Sequence, residues 1–120
     1  MPQTTVIFFA EPDGTAPLLD WTDGLPPKVQ EKCIVKIERL GEMGHELRRP
    51  EADLLRNGVY ELRIAYRSIQ YRILYFFHGN VAVISHGLKK ESEVPDKDIE
   101  MALKRMEIFK LNPQLHTYEE

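Results

Sequence analysis

The period of the apolar positions changes along the chain, and each change marks an element. Thr5 to Phe9 (TVIFF) is a β-branched and aromatic run closed by Glu11-Pro12-Asp13-Gly14, which predicts a first strand ending in a turn. Ala16 to Asp23 reads as a short helix with Leu18, Leu19 and Trp21 partly inward, interrupted by Leu25-Pro26-Pro27. A proline there can open the next helix at its first turn. From Val29 the apolar residues Cys33, Ile37 and Leu40 recur at helical spacing until Gly41 or Gly44. Lys28, Lys32, Lys36 and Glu38 lie off that stripe, so the lysines are expected on a solvated face rather than in a binding patch.

After a stretch read as loop, HELRRPEADLLRNG, the period drops to two. In Val59 to Tyr66, Tyr60, Leu62, Ile64 and Tyr66 share one face, leaving Glu61, Arg63 and Ala65 on the other. Ile69 to His78 is apolar on both faces, which predicts a central strand covered on both sides. Arg67-Ser68 and His78-Gly79-Asn80 are short enough for tight hairpins, so these strands and Val81 to Ser85 form an antiparallel meander. Pro95 can open a last helix with Ile99, Ala102, Leu103, Met106 and Phe109 on one face, ending near Asn112-Pro113. The expected fold is a single α+β domain over residues 1–120. Its order is β-α-α-β-β-β-α, with an antiparallel sheet of about four strands and the helices packed on one face.

Composition narrows the function. With 120 residues and 42% apolar content the chain can bury a modest core. Its apolar runs are too short to cross a bilayer and no leader pattern is present, so a cytoplasmic protein without membrane contact is expected. Cys33, in register with Val29 and Ile37, reads as a small buried apolar residue. The net charge of −3 argues against a nucleic-acid binder, but its distribution argues back. Residues 45–90 carry eight Lys/Arg against four Asp/Glu, whereas 1–44 carry four against seven and 91–120 four against eight. A cationic surface can therefore exist on an acidic protein. The sequence has no phosphate-binding glycine loop, no H-E-x-x-H, no paired cysteines and no G-x-S-x-G, so neither cofactor nor metal is expected. His45, His78, His86 and His116 are scattered and read as surface or capping residues.

Arg63 and Arg72 are more telling, because a guanidinium among Leu, Ile, Tyr and Phe needs a partner or an open surface. Two accounts stand. One is a salt bridge to Glu61 or to a helix carboxylate. The other is a pair of forks held on rigid strands as a phosphate clamp.

The succession GVYELR, YRILYFF, a short turn, then HGLKKESEVP and a helix with A-x-x-R resembles the RelE/ParE superfamily of type II toxins, above all its phage-derived HigB-like branch. The likeness runs from the first strand to the last helix. It implies a RelE-like fold and a metal-independent, ribosome-dependent mRNA endonuclease in which the RNA 2′-OH attacks its own 3′ phosphate. Arg63 and Arg72 take the positions of the family's strand cations, and Lys89 that of the basic residue after the last strand. Lys90 beside it, Arg48, Arg49 and Arg67 are expected to bind RNA. The family's C-terminal tyrosine falls at Pro95, so His86 is the expected proton carrier, with Lys89 or Lys90 as substitutes. The implied partners are a HigA-like helix-turn-helix antitoxin, the ribosome and mRNA, with operator DNA reached only through the antitoxin. The same scaffold also hosts ParE-like gyrase poisons, and an inactive antitoxin-binding member is a third reading.

Overall fold

The computed structural model describes residues 4–119; residues 1–3 and 120 lie outside the described chain. Among the described residues the elements run β1 (Thr5–Phe8), α1 (Pro17–Asp23), α2 (Pro27–Met43), β2 (Ala52–Arg56), β3 (Val59–Tyr66), β4 (Ile69–His78), β5 (Val81–Lys90) and α3 (Asp96–Leu111), with a single 3-10 turn, Gly44–Glu46, after α2. The α+β class holds, and so does the order of the expected elements. Three features differ from expectation.

First, the sheet has five strands, in the order β1-β5-β4-β3-β2. The additional strand, β2, lies within the stretch read as loop. Ala-Asp-Leu-Leu-Arg has no alternation of its own and becomes a strand because Asn57 and Gly58 both take positive φ and fold it back on β3. That pair is a strong hairpin signal. Second, the sheet is mixed rather than antiparallel: β2 to β5 form a meander, but β1 runs parallel to β5, with Thr5 opposite Val81 and Phe8 opposite Ile84. Third, the helices cover both faces. Leu18, Val29, Cys33 and Leu40 of α1 and α2 pack on Leu62, Ile64, Ile73 and Ile84. On the opposite face Ile99, Ala102 and Phe109 of α3 pack on Val59, Leu74, Phe76 and Val83. The doubly apolar β4 requires this cover, since one helical layer leaves Leu74 and Phe76 in water.

Cys33 is buried as expected, and burial pushes its thiol up to about 11. Two glycines fix the helix positions. Gly44 ends α2 at φ +54° against Thr4, where a Cβ would collide with the threonine side chain. Gly87 lies under the Trp21 ring, and any side chain there would expel the tryptophan from β5. Trp21 is thereby set edge-on to Tyr71, with ring centroids 6.3 Å apart. No helix among the described residues is long and apolar enough to cross a membrane.

Candidate functional site

The meander sets the expected site residues in rows. On the α3 face of the sheet, three successive rows read Ala65–Gln70–Lys90, Arg63–Arg72–Leu88 and Glu61–Leu74–His86 across β3, β4 and β5. Arg63 and Arg72 are therefore direct cross-strand neighbours, an arrangement that repels unless an anion is shared. Glu61 supplies it. Its Oε2 accepts from Arg63 Nε at 2.9 Å and its Oε1 from Arg72 Nε at 3.1 Å. Arg72 also donates to the Tyr71 carbonyl at 2.9 Å and to Gln70 at 3.3 Å. With Arg72 only 4% exposed and Glu61 equally enclosed, this is the salt-bridge arrangement of the two accounts. Burial pulls the Arg72 guanidinium below its ordinary value, and Glu61 pulls the other way.

The bridge continues outward. Arg63 Nη2 donates to Asp53 at 3.2 Å, and Arg49 donates to the same carboxylate oxygen at 2.8 Å. The result is a ladder of alternating charge, Arg49–Asp53–Arg63–Glu61–Arg72, running from solvent into the sheet. The Arg49 guanidinium holds the Asp53 carboxyl below the usual carboxylate range.

A second network is buried one row away. Leu74 pairs with His86 but Tyr75 pairs with Ile84, so Ser85 is the extra residue of a β-bulge. A regular strand would send Ser85 and His86 to opposite faces; the bulge aims both under α3. Arg105 donates to Ser85 Oγ at 3.2 Å and to Glu11 at 3.1 Å, and Ser85 Oγ lies 2.7 Å from His86 Nδ1. His86 Nε2 lies 3.0 Å from Asp98. Because arginine only donates and the carboxylate only accepts, the network assigns the tautomer: the serine hydroxyl donates to Nδ1, and Nε2–H donates to Asp98. The order Asp98–His86–Ser85 has the polarity of a hydrolytic triad, but Ser85 is fully enclosed and has no substrate to attack. Burial holds His86 below its ordinary value despite Asp98, with repulsion from Arg105 acting in the same direction as burial. His86 is thus buried rather than superficial. So is His116, which stacks on Phe9 and donates from Nδ1 to the Ala10 carbonyl at 2.8 Å.

The other expected residues disperse. Lys89 lies opposite Tyr71, on the α1–α2 face and away from the arginine pair. Lys90 shares the row of Gln70 beside that pair. Arg48 turns back onto the carbonyls of His45 and Leu47. Arg67 sits at the β3–β4 turn with φ +51°, over the Tyr66 ring at 5.2 Å. Pro95 caps α3, its carbonyl accepting from the Asp98 and Ile99 amides.

Lys28, Lys32 and Lys36, read as a solvated face, also form one wall of an open groove of about 740 Å³, facing Arg63, Arg72 and the Gln70 side of the hairpin. Five cations and a single carboxylate, Glu31, line it. The legible signal was the i, i+4 spacing of the lysines, which puts all three along one flank of α2. The hairpin that supplies the opposite wall is distant in sequence. Among the described residues no group of three His, Cys, Asp or Glu side chains is placed to hold a metal ion.

A model of the family described as "Phage derived protein Gp49-like (DUF891)" matches residues 20–107, from α1 into α3. The chain belongs to this Gp49-like family. The match takes in α2, the whole meander and hence both walls of the groove and both polar networks except Glu11. It leaves β1 outside. No curated protein matches the chain.

Proposed function

We propose that this Gp49-like chain is the toxin of a type II toxin–antitoxin pair and that it grips translated mRNA along the groove between α2 and the β3–β4 hairpin. The observation that carries the reading is the lining of that groove: five cations to one carboxylate on a protein of net charge −3, with Lys36, Arg63 and Arg72 paired to Glu51, Asp53 and Glu61 behind the wall and Lys28 and Lys32 at its open side. Phosphates are the ligands such a wall selects. Membership of a family associated with toxin-like proteins supports it.

The proposed chemistry is metal-independent cleavage. The 2′-oxygen bonds to the adjacent phosphorus as the P–O5′ bond breaks, leaving a 2′,3′-cyclic phosphate and a 5′-hydroxyl. One proton leaves the 2′-OH and one reaches O5′. Arg63, about a third exposed at its side chain, meets the phosphate. Arg72, behind it, holds Glu61 and through it the angle of Arg63. Lys90 and Gln70 extend the platform. A HigA-like antitoxin would neutralise the chain by covering this wall.

A second reading has an observation of its own. Both ring nitrogens of His86 are engaged, and Glu61 is shared between two guanidinium groups, so neither is free to exchange a proton with a bound substrate. On that reading the chain holds its target without cutting it, as a gyrase poison does.

Induced expression with mapping of mRNA 5′ ends on ribosomes separates the two. Cuts inside codons, abolished by Arg63→Ala in a folded protein, support cleavage. Growth arrest with DNA breaks and intact mRNA supports the poison. Absence of arrest rejects both.

A further inference from the structure

The β2–β3 hairpin turns on Asn57-Gly58, and the chemistry open to that pair is closed to the other asparagines of the chain, Asn80 and Asn112. Asn57 and Gly58 are both exposed, and both take positive φ, +50° and +89°, as a type I′ turn requires. Among the described residues no hydrogen bond holds the Asn57 carboxamide or the Gly58 main-chain nitrogen. A carboxamide carbon and the nitrogen that can close a ring on it therefore stand side by side in water. Asn80 and Asn112 are exposed too, but the residue after each obstructs the same reaction. Val81 crowds its own nitrogen with a β-branched side chain and is already part of β5, and Pro113 has no N–H. Glycine leaves the path clear.

Ring closure requires the peptide between Asn57 and Gly58 to rotate out of the turn, so the tip of the hairpin has to open. Its construction permits this. A bulge at Leu55 interrupts the ladder between the Leu54–Tyr60 and Arg56–Val59 pairs, so one pair alone closes the turn. β2 is also the edge strand of the sheet. Arg56 ties its end to α3 through ion pairs to Asp96 at 3.0 Å and Glu100 at 2.7 Å, whose carboxylates are largely in solvent, and such pairs resist opening weakly. Fraying confined to a hairpin tip belongs to the low end of local unfolding energies.

We infer that Asn57-Gly58 is a self-modifying site of the folded chain. The Gly58 nitrogen loses its proton and bonds to Asn57 Cγ, the Cγ–Nδ2 bond breaks, and the carboxamide nitrogen leaves with a proton as ammonia. A succinimide remains, and water opens it. Cleavage of its bond at Cγ leaves an aspartate in an unaltered main chain. Cleavage at the main-chain carbonyl carbon leaves an isoaspartyl linkage, which lengthens the main chain by a methylene and frees an α-carboxylate. Water is the only co-reactant and nothing is oxidised or reduced. The two products act differently on β2. A turn with an added methylene cannot keep type I′ geometry, so Leu55 is drawn from its contacts in the α3 layer and Arg56 from its carboxylates. The aspartyl product keeps the turn and adds only a charge beside Arg56.

Ageing the folded full chain at physiological temperature and mildly alkaline pH tests the inference, read by peptide mapping in a mass spectrometer and by methyl transfer from S-adenosylmethionine with an isoaspartyl methyltransferase. The amide-to-acid mass change is expected at Asn57 and not at Asn80 or Asn112. The isoaspartyl form should exceed the aspartyl form in the hairpin peptide, and the rate should rise with pH as the Gly58 nitrogen loses its proton. Asn57→Gly, which keeps the positive φ, is expected to melt near the wild type and to accept no methyl group in that peptide. Separated by ion exchange, the isoaspartyl fraction should melt below fresh protein, whereas Asn57→Asp should melt close to it. An Asn57 that stays intact in the folded chain while the urea-unfolded chain converts overturns the inference. Conversion of Asn80 or Asn112 at the same rate overturns it equally, and an isoaspartyl fraction that melts with fresh protein overturns the loosening of β2.

Discussion

Two polar networks cross the same face of the sheet one row apart, and their surroundings differ. Glu11–Arg105–Ser85–His86–Asp98 is roofed by α3, and at its centre each donor has one acceptor. Arg49–Asp53–Arg63–Glu61–Arg72 has the same alternation, but it is sealed only at its Arg72 end and opens through Arg63 into the basic groove. The first network fastens a helix to a strand. The second holds cations at a surface, and an incoming anion can share them without leaving any of them bare. Burial, more than composition, separates a structural network from one available to a ligand.

The largest expected effect lies at the sealed end of the open ladder. Glu61→Gln leaves Arg72 enclosed without its counter-charge and should cost about 3–5 kcal/mol in urea unfolding. Asp53→Asn, at the wet end, should cost less than about 1 kcal/mol. Equal costs would show that the ladder has no open end. In the roofed network, Ser85→Ala removes the group between Arg105 and His86 and should cost about 1–3 kcal/mol.

Acidification sharpens the comparison further. The folded chain holds His86 below its ordinary value, so the unfolded chain takes up that proton first. The stability linked to His86 is complete above about pH 6.5 and is lost as pH falls toward the lowered value. The melting temperature should drop between pH 7 and pH 5, and His86→Asn should flatten that slope, whereas Arg63→Ala should leave the slope unchanged. The smallest effect on stability belongs to the groove wall. Lys32→Ala should move the unfolding free energy by no more than about 0.5 kcal/mol, yet under the proposed function it should lower the salt slope of RNA binding by about one.

Much of the fold was legible because it rests on local periodicity. The α2 stripe, the doubly apolar β4 and the tight hairpin turns needed no partner to be recognised. Strand β2 was hidden: Leu54 and Leu55 follow each other without alternation, and only the Asn57–Gly58 turn announced it. The site was half legible. Arg63 and Arg72 were found together with their carboxylate alternative, and the structure makes them cross-strand neighbours around Glu61. Lys89 and His86 were grouped with them by the family resemblance, Lys89 as its basic residue after the last strand and His86 in place of its tyrosine, but strand alternation sends Lys89 to the far face and the bulge at Ser85 draws His86 under α3.

The sequence by itself determined the α+β class, the meander, the amphipathic helices and the concentration of cations between residues 45 and 90, since each follows from neighbours a few residues apart. Tertiary structure alone decided that β1 lies parallel to β5, that α3 closes the second face, and that lysines of α2 meet arginines of β3 and β4 across a groove. Those contacts join segments tens of residues apart, and their energy comes from burial and charge pairing that exist only once the chain has closed on itself.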